Sequence, residues 1–259
     1  PYKTGYLLPQ QVNDETEPAG INQNILNARQ YWPILKLGGG ERSTTEFIAY
    51  WLQHSYLLNY TIRAMLGVEK DANDVLRYAG KTGASPERLF GYSVATNALS
   101  AASEVFAGRI ERLLHNKIMA PRFQTLLLPT GETLFGMQTI VKPSSSSPPI
   151  EVSLDTTSIS FSTFALEAKL HDLKLSSNFS VSLFGSIAKT KDPAGSGSNW
   201  GVSGGIEARY QVNPRMSVGA TIGGRGEGNA VHQIEGKAPG PFGSLNFQVT
   251  LPSSILGGN

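Results

Sequence analysis

Gly201-Val202-Ser203-Gly204-Gly205 has the spacing G-x-S-x-G of a hydrolase nucleophile elbow. In that chemistry a serine on a sharp strand-to-helix turn attacks an acyl carbonyl, a histidine takes its proton and a carboxylate orients the histidine. After Ser203 the chain offers Glu207, Glu227, Glu235 and His232, and no aspartate. The hydrophobic alternation, however, runs through Ser203 to Val212 without a helical period after it. Ser203 therefore reads as a strand residue with no catalytic role.

The other chemical spacings dissolve in the same way. Gly80-Lys81-Thr82 imitates the end of a phosphate-binding loop, but Val75 stands where its first glycine belongs and no strand precedes it. The glycines from Gly223 to Gly228 lack dinucleotide-binding spacing and open no helix. Gly38-Gly39-Gly40 reads as a hinge. His54, His115, His171 and His232 are scattered, without ligand spacing for a metal. The chain has no cysteine, which removes thiol catalysis, disulfides and Cys-based zinc sites. The expectation is a protein that is not an enzyme, with no cofactor, metal or small-molecule substrate.

Bulk composition agrees with a structural role. Of 259 residues only 16% are charged, while glycine is abundant at 28. The 22 basic and 20 acidic residues nearly balance, and no basic run is interleaved with aromatics, so nucleic acid is not an expected partner. No run of eighteen apolar residues is present to predict a transmembrane helix. The start at Pro1 reads as a processed or truncated N-terminus.

The elements fall into an α+β order. Residues 1–42, with Pro9, Pro18 and Pro33, predict an extended arm with one short helix near Ile25–Tyr31. A helical domain with a terminal β-hairpin covers 43–142. Ser43-Thr44-Thr45-Glu46 is a capping box, followed by apolar residues at helical spacing from Phe47 to Leu66. A short helix over Asp71–Ala79 stops at Gly80. Ser85-Pro86 starts a long helix running to about Met119. Along it Gly91, Ala95, Ala98 and Ala102 form a small-residue stripe, which packs either on the Phe47–Leu66 helix or on another subunit. Residues 121–142 read as a hairpin turning at Pro129–Gly131, and the Ser/Pro segment 143–149 as an interdomain linker.

From Ile150 to Asn259 the period changes to two, predicting an antiparallel β domain of about seven strands. Trp200, Val202, Ile206, Tyr210, Val218 and Ile222 share one apolar face, which meets lipid in a barrel or a second sheet in a sandwich. The opposite face is mostly Ser, Gly, Thr, Asn and Gln. Trp200 and Tyr210 would stand roughly 23 Å apart in height on a tilted strand, close to the spacing of two aromatic girdles. A break in phase near Ser162–Phe164 predicts a bulge or a strand boundary. About seven strands are too few for a closed single-chain barrel, so the expectation is a barrel shared between subunits.

The function expected from the sequence is a structural subunit of a homo-oligomer at the bacterial envelope (outer membrane), contributing strands to a pore or wall. Its partners would be membrane lipid and other assembly subunits. The alternative is a soluble virion or injection-machine protein that docks through a β-sandwich.

Overall fold

A computed structural model describes residues 10–37, 44–68, 73–114, 117–118, 121–128, 131–144, 146–157, 163–191, 198–213, 216–226 and 239–249. Among these residues five helices precede an antiparallel sheet: α1 (Gln10–Leu37), α2 (Thr44–His54), α3 (Tyr56–Met65), α4 (Asp74–Thr82) and α5 (Pro86–Leu114). The strands are β1 (Lys117–Ile118), β2 (Arg122–Leu127), β3 (Thr133–Lys142), β4 (Ile150–Thr156), β5 (Phe164–Lys174), β6 (Phe179–Lys191), β7 (Ser198–Asn213), β8 (Met216–Arg225) and β9 (Gly240–Val249). No helix among the described residues is long and apolar enough to cross a membrane.

The segment expected as an extended arm is instead largely α1. Pro33 argued against a helix, because a proline in a helix interior leaves the carbonyl four residues back without its N–H donor. Here that carbonyl, on Arg29, receives the Gln138 side-chain amide at 3.2 Å. Apolar contacts hold the rest of the helix, with Ile21, Ile25 and Leu26 packing with Leu57, Val75, Tyr78, Leu89, Leu126 and Leu134 in the main core. Trp32 packs with Tyr50 and Ile140 in a second cluster.

The single helix expected from Phe47 to Leu66 is interrupted at Ser55, whose hydroxyl and backbone N–H both donate to the Trp51 carbonyl. Ser43, the expected cap, lies outside the described residues. Helix α4 is capped by Asn73, whose side chain accepts from the Val75 and Leu76 amides at 3.0 and 3.3 Å. It passes through Gly80 and ends at Gly83, which has φ 72°.

From β2 onward the strands form one meander, each pairing with its sequence neighbours. β1 and β2 pair successive stretches of β3 on the same side, so nine strand segments occupy eight lanes. Two expectations change as a result. Val141 pairs with Ile150, which makes the Ser/Pro segment a connection between adjacent strands and the β2–β3 hairpin part of the sheet. Six described strands, not seven, follow residue 149. The break in phase near Ser162–Phe164 coincides with a strand boundary, β5 starting at Phe164, and a separate register shift falls between Leu170 and Leu173, where Asp172 has φ 49°. Among the described residues there is no second sheet to make a sandwich within the chain.

Candidate functional site

The sheet has two chemically opposite faces, set by the period-two alternation. The inner face, which meets α1, carries Gln124, Gln138, Glu151, Ser153, Asp155, Glu167, Lys169, Ser182, Ser203, Glu207 and Arg209. The outer face carries the apolar set.

Polar partners from α1 to β5 close the first part of the inner face. The Arg29 guanidinium donates to Asp155 at 2.7 Å, to the Ser153 hydroxyl at 2.7 Å and to Glu167 at 2.8 Å. The other Asp155 oxygen accepts from Gln124 Nε2 at 3.1 Å. A charge this deeply buried is tolerated only when it is paired and hydrogen-bonded. Gly136 makes room for the Gln124–Asp155 bond, since a Cβ there would overlap Asp155 Oδ1 and stand 2.7 Å from Gln124 Nε2.

A second chain of contacts runs beside the first. Arg122 donates to the Ile25 carbonyl at 3.0 Å, to Gln138 Oε1 at 3.3 Å and to His54 Nδ1 at 3.1 Å. Gln138 also reaches Glu151, which bonds His171 at 2.7 Å. Because Nδ1 of His54 accepts from a guanidinium, its ring is neutral with the proton on Nε2. Burial, and then the Arg122 charge, hold its pKa well below the usual histidine value. Burial likewise pushes the neighbouring Tyr50 up to about 12.

Beyond β5 no helix among the described residues covers the inner face, and it opens on a cavity of about 980 Å³. α1 bounds one side through Gln30, Pro33, Ile34 and Leu37, and the strands bound the other. Lys169 and Arg209 both pair with Glu207, at 2.7 and 3.1 Å. Further along, Arg225 stacks 3.7 Å from the centroid of Phe242, and the Phe184 and Phe242 rings lie 6.1 Å apart. The wall therefore mixes charges that pair with one another and apolar side chains such as Phe184, Phe242, Ile34 and Leu37.

Among the described residues nothing covers the outer face. Phe164, Lys189 and Trp200 form one cross-strand row, and Phe179 and Tyr210 another. Between these rows every outward position on β5 to β8 is Leu, Ile, Val, Ala or Gly. Trp200 is 57% exposed, Val202 70%, Ile206 44%, Tyr210 50% and Ile222 65%, while Val218 is half-buried among its neighbours. All six residues expected on the apolar face share it. The β6–β7 and β8–β9 connections join strand ends on the Trp200 side of the sheet, and the β5–β6 and β7–β8 connections join strand ends on the other.

The long helix has the same inverted polarity. Gly91, Ala95, Ala98 and Ala102 are exposed together with Val94, Leu99, Val105 and Phe106. Beyond Leu89, which joins the main core, packing on α3 and β2 uses hydroxyls. Ser93 bonds Thr61 at 3.3 Å, Thr96 bonds Thr125 at 3.2 Å, and the Ser103 hydroxyl donates to the Pro121 carbonyl. The spacing of Ser93, Thr96, Ser100 and Ser103 was present in the sequence, but nothing in it said which stripe turns inward.

Ser203 lies mid-strand on β7, paired with Ser186 and Arg225, and its hydroxyl accepts from the Gly226 amide at 3.3 Å. That is not the geometry of a nucleophile elbow. His115 and His232 lie outside the described residues, and among those described no group of three potential metal ligands stands together. No protein-family profile, curated protein or solved structure matches the chain.

Proposed function

We propose that the chain is a non-catalytic structural subunit of a homo-oligomeric assembly in the bacterial envelope, its sheet forming a wall segment with lipid outside and an aqueous lumen inside. The observation that carries this reading is the inverted polarity of the sheet. In a water-soluble protein the apolar face is the one that another layer covers. Here the face that α1 meets is polar on β4 and β5, with Leu126, Leu134 and Ile140 of β2 and β3 as its apolar part, and an uncharged apolar band faces outward between two rows containing aromatics. A transmembrane barrel wall has that pattern. The soluble alternative needs another chain to cover the same band with a second sheet.

Flotation with phospholipid vesicles tests the reading. Wild type is expected to float with the lipid, and Val202→Arg with Ile222→Arg to return it to the aqueous fraction, because each arginine costs about 2–4 kcal/mol near the bilayer midplane. A discrete, detergent-free particle that ignores vesicles would favour the sandwich reading. Flotation unchanged by both arginines would overturn the lipid contact.

A further inference from the structure

The two edges of the sheet differ, and the difference identifies how copies join. Asn22 of α1 bonds both backbone groups of Leu127, donating to its carbonyl at 2.7 Å and accepting from its amide at 2.9 Å. The Ser100 hydroxyl of α5 does the same for Phe123, at 3.1 and 2.8 Å. Strand β2 is clasped between two helices, with these strand-pairing groups already taken.

The β9 edge has no such cover among the described residues. The Gly226 amide donates to the Val202 carbonyl. Even-numbered residues of β8 therefore bond toward β7, and odd-numbered ones toward β9. Through the β8–β9 register, Pro241, Gly243, Leu245 and Phe247 direct their backbone groups to the free side. Pro241 has no amide to offer there, as suits an edge. Leu245 and Phe247 are 73% and 75% exposed.

Hydrocarbon does not tolerate an open sheet edge. Strand β9 cannot close onto β2 of the same chain while α1 stays inside, because the interior of an eight-strand barrel is just filled by side chains and α1 is a helix about 10–12 Å across. Antiparallel pairing of β9 with β9 of a second copy would invert that copy across the membrane. We infer that β9 of one copy pairs with β2 of the next, and that the Asn22 and Ser100 contacts are a latch that must open first. This rests on the lipid-facing reading above. The described conformation is then the pre-assembly form, and the assembly is a closed ring of copies around a lumen wide enough for the helices.

The chain has no native cysteine, so an engineered lock is clean. Thr96→Cys with Thr125→Cys replaces two hydroxyls 3.2 Å apart and ties α5 to β2. Vesicles of phosphatidylethanolamine and phosphatidylglycerol serve as the lipid, with flotation and chemical cross-linking as readouts. The oxidised pair is expected to lose the multi-copy bands and, with its β9 edge open, to stay out of the lipid fraction, and dithiothreitol is expected to restore both in the same sample. Asn22→Ala is expected to assemble at roughly tenfold lower concentration, the equivalent of about one net hydrogen bond. Multi-copy bands from the oxidised pair equal to wild type would overturn the latch, as would wild type floating as a single copy. Wild type that does not float at all would overturn the lipid-facing reading, and this inference with it.

Discussion

From β2 to β5 the polar face of the sheet meets α1, and Arg29, Arg122, Glu151 and Asp155 each bond a partner from another element. From β6 to β9, among the described residues, the same face meets the cavity, and its contacts run from strand to strand, as in Lys169 of β5 with Glu207 of β7 and Arg225 of β8 with Phe242 of β9. The covered half resembles the interior of a folded domain and the open half the wall of a channel, although both grow from one alternation. What separates them is the reach of a single helix.

The sharpest way to break this comparison is to remove one cation from each half. Arg29→Met leaves Asp155 buried without its partner and is expected to lower unfolding stability by about 3–5 kcal/mol. Arg225→Met loses a partly exposed stacking contact and is expected to cost no more than about 1 kcal/mol. Urea titrations of the two variants decide the point, and equal losses would mean that the halves are equivalent.

A smaller effect comes from His54, at the helical end of the covered half. Its folded pKa lies below the unfolded value near 6.5. The unfolded chain therefore takes up a proton that the folded chain refuses. Stability from this group is full above about pH 6.5 and declines as pH falls, by up to about 1.4 kcal/mol per pH unit. His54→Gln keeps an acceptor for Arg122 and should flatten urea midpoints between pH 6.5 and 5. An unchanged slope would place the titration elsewhere.

The smallest expected change is on the outward stripe of α5. A Cβ added at Gly91 meets nothing within 4 Å. Gly91→Ala should therefore raise the melting stability of the single chain by about 0.5–1 kcal/mol. If the stripe instead contacts a neighbouring copy closely, the same methyl would weaken assembly while stabilising the monomer, which cross-linking against concentration would show.

What the sequence made legible follows the range of the interactions. The faces of β6 to β8 could be read because Trp200, Val202, Ile206 and Tyr210 repeat at period two, a property of each strand alone. Segment 143–149 looked like a linker because Ser/Pro composition is local, whereas the Val141–Ile150 pairing that overrides it is not. Pro33 argued against a helix because the group that relieves it, Gln138, is far along the chain. The alternating charges Glu151, Asp155, Glu167, Lys169 and His171 were visible, but their significance depended on Arg29 reaching them from α1.

Gly136 carries a consequence for descent. Its neighbours, not its backbone angles, demand a glycine, because the space above it holds the meeting point of Gln124 and Asp155. Positions 124, 136 and 155 should therefore drift together among relatives of this chain. A lineage that shortens the amide or the acid at 124 or 155 becomes free to acquire a side chain at 136. A lineage that keeps both has no such freedom, however little the rest of β3 is conserved.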